Sequence, residues 1–262
     1  MHEKGLVFSC RDEEGVIEVV DDLDARALYF GTPARQSAMS HEDPHRLVLS
    51  YTRSMLSALL FTREPRSALV LGLGGGSLPR FLMHTFPMCR IDVVERRAAV
   101  VQVAHDYFHL PRSPRLHTHV CDAETFLREQ PGRTYDLVLV DLHDPNGTAP
   151  LVTEAGFFAS CARRLAARGV LATNLWTDLS SSVPPPIHRD HRAAFADRHL
   201  VLPVTGRGNC ILLGLSFPAA SYARPRLAAK AIDLRARLGI DFPQLLIDLA
   251  RVNPDLRPSR PR

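Results

Sequence analysis

Two carboxylates three positions apart follow an apolar run in the stretch "YDLVLVDLHDPNGTAP". Asp141 directly ends the run, and Asp144 precedes a proline. A carboxylate at the end of a buried strand is suited to binding a cation or accepting a proton. For Asp144 an Asp-Pro turn is the simpler explanation, whereas a turn accounts poorly for Asp141.

A glycine-rich segment, "VLGLGGGSLPR", follows an earlier apolar run and contains Gly72, Gly74, Gly75 and Gly76. Glycine lets the backbone turn tightly and approach a ligand without a Cβ in the way. Glu95 ends the next apolar run, 21 residues after Gly74, a spacing that suits a carboxylate bound to both ribose hydroxyls. A plain tight turn is an alternative. A dinucleotide site would share both features, but it usually has a third glycine where Ser77 stands.

Two more residues follow predicted strands, and each has two readings. Asp122, after "LHTHVC", could accept the exocyclic amine of adenine or cap the helix "AETFLRE". Trp176, the only tryptophan, could wall a pocket or belong to the core. His117, His119 and Cys121 alternate along one predicted strand, so a shared metal ion is conceivable. Histidines with no ligand role are the simpler explanation, and we expect no metal site.

Strands and helices alternate from residue 67 onward. The predicted strands are "ALVLGL", "RIDVVE", "LHTHVC", "YDLVLVD" and "GVLATNLW". This alternation indicates a parallel sheet covered on both faces, with ligands at the carboxyl ends of its strands. "LVLPV" and "NCILLGLSF" then predict a hairpin, an ending typical of class I methyltransferase-like folds. The expected fold is therefore α/β, a class I methyltransferase-like Rossmann fold with a small N-terminal antiparallel β domain.

The predicted organisation has three parts. Residues 1–43 form the N-terminal β domain, and residues 44–217 form the Rossmann-like domain with a leading helix over 44–61. Residues 218–262 supply C-terminal helices and a basic tail. The segment "SSSVPPP" (180–186) is expected to be a loop because consecutive prolines cannot continue a helix.

The composition limits the classes of protein to which this chain could belong. The 262 residues are 45% hydrophobic and 23% charged, as in a globular protein. The net charge is +4, but the one dense basic run is the terminal "LRPSRPR", so nucleic-acid binding is not expected. No apolar run approaches the ~20 residues of a membrane span. Five scattered cysteines suit reduced thiols, which favours a cytoplasmic location.

The four segments "GLGGGS", "VVERR", "CDA" and "DLHDPNGTA" together resemble, in order and spacing, the polyamine aminopropyltransferase (spermidine synthase) family. The resemblance extends from about residue 26 to 215, and "ALYFGTPARQS" is similar to the family's N-terminal motif. It implies an enzyme of polyamine biosynthesis. The implied reaction moves an aminopropyl group from decarboxylated S-adenosylmethionine, a co-substrate, to a small-molecule amine or polyamine. A homodimer is compatible with it.

The resemblance also implies roles for individual residues. The nucleoside site would comprise Gly72, Gly74, Gly75, Gly76, Ser77, Glu95, Asp122 and Ala123, with Glu95 at the ribose and Asp122 and Ala123 at the adenine. Asp141 would be the catalytic base, and Asp144 would bind a polyamine nitrogen. The substrate site would also include Gln36, His45, which aligns with a family tyrosine, and Trp176. We expect no permanently bound cofactor and no metal.

One departure from the family pattern leaves the donor open. Ser77 stands where the family has an aspartate that meets the donor's aminopropyl amine, so ordinary S-adenosylmethionine is the alternative donor. Two other functions also stay open. One is an S-adenosylmethionine-dependent methyltransferase acting on a small molecule, and the other is a non-catalytic relative that binds a nucleoside or polyamine.

Overall fold

A small antiparallel sheet begins the protein. The computed structural model describes residues 5–129, 132–144, 147–177, 183–206, 208–218 and 224–256. The strands of the first sheet, in spatial as well as chain order, are β1 (Leu6–Asp12), β2 (Gly15–Asp21), β3 (Ala25–Tyr29) and β4 (Arg35–Ser40). Alternating apolar residues such as Ile17 and Val19 are buried on one face, as the period of a strand requires.

The larger sheet has seven strands in the described part of the chain. They are β5 (Ser67–Leu71), β6 (Arg90–Glu95), β7 (Leu116–Val120), β8 (Tyr135–Val140), β11 (Leu165–Trp176), β12 (His199–Pro203) and β13 (Asn209–Leu215). The short strands β9 (His143–Asp144) and β10 (Gly147–Thr148) pair only with each other. The spatial order is β12-β13-β11-β8-β5-β6-β7. The strands from β11 to β7 are parallel, and the β12–β13 hairpin pairs antiparallel. The α/β fold expected from the sequence, with its closing hairpin, is confirmed.

Helices cover both faces of this sheet. They are α1 (Ser50–Met55), α2 (Ser77–Thr85), α3 (Ala98–Tyr107), α4 (Ala123–Glu129), α5 (Phe157–Ala162), α6 (Pro185–Phe195), α7 (Arg224–Leu238) and α8 (Phe242–Val252). In β5, Ala68 and Val70 pack toward α2, α7 and α8, whereas Leu69 and Leu71 pack toward α4, α5 and α6. Burial on both faces explains why this strand is continuously apolar. No described helix is long and apolar enough to span a membrane.

The N-terminal sheet packs against α3. Ile17, Val19 and Leu28 share a buried cluster with Val100 and Val103 of that helix. This contact fixes the small sheet beside the carboxyl ends of the parallel strands.

Two ion pairs join the N-terminal sheet to the loop after β6. Arg97 binds Asp12 through two nitrogens at 2.8 and 2.9 Å, and Arg96 lies 2.5 Å from Glu14. The Arg97 side chain is buried and stacks over Phe30. These contacts hold the small sheet in one position relative to the strand ends.

The helix expected over 44–61 begins later than the sequence indicates. Residues 44–49 are not helical, α1 begins at Ser50, and residues Leu56–Leu60 form a 3₁₀ helix. Side chains explain the delay, because Arg53 donates to the carbonyls of Leu47 and Val48, and Arg80 donates to that of Pro44. Leu47 also forms a bridge with Met39 of β4.

A second difference concerns the prolines of the segment 180–186. Residues 183 and 184 are irregular, but α6 begins at Pro185. Prolines are tolerated in the first turn of a helix, where their missing N–H would have no intrahelical partner. Residues 180–182 of this predicted loop lie outside the described residues.

Candidate functional site

The parallel strands open into a cavity of about 1200 Å³ at their carboxyl ends. β5 leads to the glycine-rich loop, β6 ends at Glu95, and β8 is followed by Asp141. β11 ends at Trp176, while α1 and the N-terminal sheet form the opposite wall. The cavity therefore lies at the edge of the sheet that the sequence singled out.

Gly72 allows the ends of β5 and β8 to approach closely. Its φ is +93°, and a Cβ at this position would lie 2.3 Å from the backbone oxygen of Asp141. The Asp141 N–H donates to the carbonyl of Leu71 at 2.8 Å, and the Gly72 N–H donates to that of Val94 at 2.9 Å. Any side chain at 72 would clash with the backbone of Asp141.

Glu95 is held by backbone donors on both of its carboxylate oxygens. Leu73 N–H donates to Oε2 at 3.1 Å, and Arg97 N–H donates to Oε1 at 3.0 Å. Burial raises the pKa of Glu95, and these donors together with Arg97 partly offset that rise. A carboxylate oxygen accepts about two hydrogen bonds, so each oxygen retains one lone pair for a ligand.

Asp122 fits both readings that the sequence left open. Its Oδ1 accepts from the N–H of Glu124 at 2.7 Å, which caps α4. The residue is exposed at the rim of the cavity, beside the buried Ala123, which also lines it. The capping bond leaves Oδ2 for a ligand.

Asp141 receives donors from two separate elements. Tyr51 of α1 donates to Oδ2 at 3.1 Å, and Asn174 of β11 donates to Oδ1 at 2.9 Å. His143 Nδ1 lies 3.3 Å from the same Oδ1. Asn209 of β13 donates to the Asn174 oxygen at 3.1 Å, which orients that amide.

These contacts set the charge of the Asp141 carboxyl. Burial alone would raise the pKa of Asp141, but the His143 imidazole, with the donors Asn174 and Tyr51, lowers it below its ordinary value. Burial and the neighbouring Asp141 carboxylate raise the pKa of Tyr51 well above the ordinary value. Asp141 is therefore ionised and Tyr51 is neutral at physiological pH.

A short hairpin carries the second carboxylate. His143–Asp144 pairs antiparallel with Gly147–Thr148, and the Thr148 hydroxyl accepts from the backbone N–H of Trp176 at 2.7 Å. Asp144 and Trp176 both line the cavity, and Trp176 is 53% exposed. Trp176 is therefore a wall of the cavity and not part of the core.

Three of the residues expected in the nucleoside site, Ser77, Gly75 and Gly76, are placed differently from the rest. Gln36, Gly74 and Ser77 line the cavity, but Ser77 is buried, and its hydroxyl bonds to Ala38 O and Ser37 Oγ at 3.1 Å each. Gly75 and Gly76 pack against Phe108 and Leu110 instead of lining the cavity, because a Cβ on either would lie 2.9 Å from those side chains.

His45 is not brought to the cavity. Its ring stacks on His84 at 4.0 Å, on the other side of the segment that precedes α1, where it lines a separate surface pocket with Asp43 and Arg46. The tyrosine that does reach the cavity is Tyr51, which lies in α1 itself. The alignment of His45 with a family tyrosine was therefore displaced by the irregular residues before α1.

Arg80, one helical turn after Ser77, points away from the cavity. It is 2% exposed and donates to the carbonyls of Pro44, Gly75 and Phe108. Burial lowers the pKa of Arg80 to about 10. Arg80 holds the glycine-rich loop in shape and adds no charge to the cavity wall.

Sequence reasoning missed Tyr51, His143, Asn174 and Asn209. The periodicity presented Tyr51 as one more apolar helix position. A signal for Asn174 existed, because an amide inside the apolar run "GVLATNLW" must find a partner when it is buried. Among the described residues, no group of three or more His, Cys, Asp or Glu side chains could hold a metal ion.

The Asp141 contacts predict a pH-dependent loss of stability in Tyr51→Phe. A carboxylate with a lowered pKa stabilises the fold above its unfolded pKa, and that contribution disappears as the pH falls through the folded value. Removing a donor to this charge should reduce the free energy of unfolding by ~1.5–3 kcal/mol at pH 7. The loss should shrink below about pH 4.

Urea unfolding followed by circular dichroism at pH 7 and pH 3 measures this loss. The matched control is the same substitution in an Asp141→Asn background, where its cost should be smaller at pH 7. An equal loss at both pH values would show that the Tyr51 bond does not act on a charge.

Comparisons with known proteins show which family the chain is similar to. Residues 49–178 match the family described as spermine/spermidine synthase domain. The polyamine aminopropyltransferase of Chromobacterium violaceum is 30% identical over 241 residues, which cover 90% of each chain.

Two solved structures share the fold. A probable spermidine synthase from Corynebacterium glutamicum has a TM-score of 0.69 and 21% identity, with 86% of each chain covered. Human methyltransferase-like protein 13, in complex with SAH, has a TM-score of 0.65 and 27% identity, and the match covers 73% of this chain and 93% of that one. From the site, the fold and the sequence match together, the chain belongs to the polyamine aminopropyltransferase (spermidine/spermine synthase) family of transferases.

Proposed function

We propose that this protein transfers an aminopropyl group from decarboxylated S-adenosylmethionine to an amine. One observation carries the proposal: the backbone-held carboxylate Glu95 and the ionised carboxylate Asp141 face the same cavity. A nucleoside held at Glu95 would present its sulfonium to an amine held at Asp141. The sulfonium and the amine would then lie next to each other, between Glu95 and Asp141.

The nucleoside half of the cavity supports this arrangement. The two remaining lone pairs of Glu95 match the two hydroxyls of a ribose. Oδ2 of Asp122 would accept from the adenine amine, and Gly74, which also lines the cavity, leaves backbone open on that side. These groups would serve any ligand that contains adenosine.

Binding of methylthioadenosine should therefore depend on Glu95. Glu95→Ala removes a charged acceptor, and we expect a loss of ~1.5–3 kcal/mol, or roughly 10- to 150-fold in Kd. Titration calorimetry measures it. Glu124→Ala, which removes an exposed carboxylate outside the cavity, is the matched control. Unchanged affinity in Glu95→Ala would refute the ribose assignment.

In the proposed arrangement, the tail of the donor would meet an uncharged wall at Ser77. An aspartate there would attract the ammonium of the decarboxylated donor and repel the carboxylate of ordinary S-adenosylmethionine. A like-charge contact at ~4 Å is worth on the order of 1–4 kcal/mol. The four described arginines that line the cavity have partners of their own: Arg97 with Asp12, Arg96 with Glu14, Arg35 with Asp22 and Arg53 with backbone carbonyls.

We therefore expect weak discrimination between the two donors, with Kd values within ~10-fold of each other. Competition binding against methylthioadenosine gives both constants. Ser77→Asp is a poor single test, because a carboxylate there would face the Ala38 carbonyl that Ser77 now bonds. A preference of 100-fold or more for the decarboxylated donor would show that another residue supplies selectivity.

The acceptor half of the cavity suits a cationic amine. Asp141 and Asp144 provide negative charge, and the exposed indole of Trp176 provides an apolar wall for methylene groups. An amine attacks only in its neutral form, and deprotonating one at pH 7 costs roughly 4–5 kcal/mol. If the carboxylates bind the cationic amine next to the donor carbon and its proton is removed there, the remaining activation barrier of the transfer would be lower.

Asp141→Asn should abolish most of the turnover and leave the nucleoside half intact. We expect methylthioadenosine release from decarboxylated S-adenosylmethionine and 1,4-diaminobutane to fall by at least ~100-fold. Methylthioadenosine affinity should stay within ~3-fold of wild type, because Asp141 is not assigned to the ribose. Asp233→Asn, on the exposed face of α7, is the control. An equally active Asn variant would remove Asp141 from the mechanism.

A second candidate is a methyltransferase that uses ordinary S-adenosylmethionine. Two observations favour it: the likeness to a methyltransferase-like protein solved with SAH, and the absence of a carboxylate at Ser77. The paired carboxylates Asp141 and Asp144 favour aminopropyl transfer to a cationic amine instead.

The cysteines bear on location. All five are free thiols, and three of them are buried. Free thiols of this kind fit a reducing compartment, and this supports a cytoplasmic enzyme acting on a small-molecule amine.

A further inference from the structure

The glycine-rich loop offers the tail of the donor no negative charge. Among the described residues, the carboxylates that line the cavity are Glu14, Glu95, Asp122, Asp141 and Asp144. Glu14 is paired with Arg96, and the other four are assigned to the ribose, the adenine and the acceptor amine. Residues 72–80 contain no acidic side chain. The loop therefore has no charge that would repel the carboxylate of ordinary S-adenosylmethionine.

Polar groups beside this loop can donate hydrogen bonds to such a carboxylate. Gln36 lines the cavity, and its side-chain amide makes no hydrogen bond with any described residue. The neighbouring Ser37 hydroxyl lies 3.1 Å from that of Ser77. Because a hydroxyl carries one hydrogen, and Ser77 donates its own to Ala38 O, Ser37 is the donor between the two. Turning the Ser37 O–H toward a ligand would give up only that bond, so a carboxylate bound here would not stay unpaired.

The two donors react at the same atom. In both, the amine attacks the methylene carbon beside the sulfonium, and the carboxylate of ordinary S-adenosylmethionine is attached further along the tail. In the proposed arrangement, the tail lies along the loop and the amine lies at Asp141. The loop and Asp141 are adjacent, since the Asp141 N–H donates to the carbonyl of Leu71 at 2.8 Å. The tail of the donor, and not its methyl group, is therefore the part that would face the amine.

We propose that this protein also accepts ordinary S-adenosylmethionine and transfers its 3-amino-3-carboxypropyl group to the acceptor amine. This activity goes beyond the proposed function, and it rests on the same placement of donor and acceptor. It differs from methyl transfer in the carbon that is attacked. A methyltransferase leaves S-adenosylhomocysteine, whereas this reaction leaves methylthioadenosine. The other product is a diamine that carries an α-amino acid group on one nitrogen.

The step balances in atoms and charge. The ammonium of the acceptor gives one proton to the Asp141 carboxylate and becomes a neutral amine. Its lone pair forms a C–N bond to the methylene carbon beside the sulfonium. The C–S bond of that carbon breaks, and its electron pair stays on sulfur, which leaves in the neutral thioether methylthioadenosine. The amine product is a secondary ammonium, its carboxyl group is unchanged, and Asp141 returns the proton to water.

Two isotopic labels in ordinary S-adenosylmethionine identify the carbon that moves. One sample carries the label in the methionine carboxyl carbon and the other in the methyl group, and each is incubated with the protein and 1,4-diaminobutane. Mass spectrometry should find the carboxyl label in the diamine and the methyl label in methylthioadenosine. The initial rate should lie within ~100-fold of the rate with the decarboxylated donor. Traces of decarboxylated donor cannot give this result, because they have lost the labelled carbon.

A pair of variants of the same shape tests the role of Ser77. Asn and Asp differ in charge and not in size, and an Asn at this position can still donate to Ala38 O. In each variant, the rate with the ordinary donor is divided by the rate with the decarboxylated donor. This ratio should be at least ~10-fold lower in Ser77→Asp than in Ser77→Asn, whatever general loss of activity the two share. If neither variant folds by circular dichroism, Ser37→Asp and Ser37→Asn give the same comparison.

Ala229→Asp is the control for added charge. Ala229 is exposed on α7, outside the cavity. This variant should leave the ratio within ~3-fold of the wild-type value. A larger drop would show that negative charge far from the loop also changes the choice of donor, and it would overturn the assignment to Ser77.

The outcomes separate this inference from the proposed function. An aminopropylated diamine from the decarboxylated donor, with no carboxyl label transferred from the ordinary one, would overturn the inference and leave the proposed function standing. A methyl label in the diamine, or equal ratios in the Asp and Asn variants, would also overturn it. Transfer of the carboxyl label in the wild type, with a lowered ratio in the Asp variant, supports it. A protein that forms no product from either donor with 1,3-, 1,4- and 1,5-diamines would refute both.

Discussion

The site depends on keeping one carboxylate ionised inside a largely buried cavity wall. A buried charge is unfavourable unless neighbouring groups compensate for it. Asp141 obtains compensation from Tyr51 of α1, Asn174 of β11 and the His143 ring. Tyr51 and Asn174 come from parts of the chain far from Asp141, so the charge is fully compensated only when α1 and β11 are assembled beside it. The charge that would attract an amine is thus also a link that joins α1 to the sheet.

The N-terminal sheet forms part of the cavity wall and also holds the residues that follow Glu95. Asp12 and Glu14 hold Arg97 and Arg96, the two residues that follow Glu95. Arg97 also donates its backbone N–H to the Glu95 carboxylate. The Glu95 carboxylate, which we propose binds a ribose, is therefore oriented by a segment whose side chains are fixed from the other sheet. In this way the first 20 residues, far from Glu95 in sequence, bear on the nucleoside half of the cavity.

The sequence predicted the fold and the strand-end residues because both follow from local patterns. Apolar runs alternating with helical periodicity identified the parallel sheet, and the carboxyl ends of its strands placed Glu95, Asp122 and Asp141 at one edge. The missed features depend on tertiary contacts. The sequence could not predict that α1 begins at Ser50. That start depends on Arg53 and Arg80, whose side chains donate hydrogen bonds to backbone carbonyls before the helix. His45 was misplaced for that reason, and Tyr51 could be recognised only once its hydroxyl was seen against Asp141.

The most direct measurement of the central claim is the chemical identity of the product. The protein is incubated with decarboxylated S-adenosylmethionine and ordinary S-adenosylmethionine together, in the presence of 1,3-, 1,4- and 1,5-diamines, and the mixture is analysed by mass spectrometry. The account predicts an aminopropylated diamine and an equal amount of methylthioadenosine. A methylated diamine with S-adenosylhomocysteine, or no new product from either donor, would contradict it.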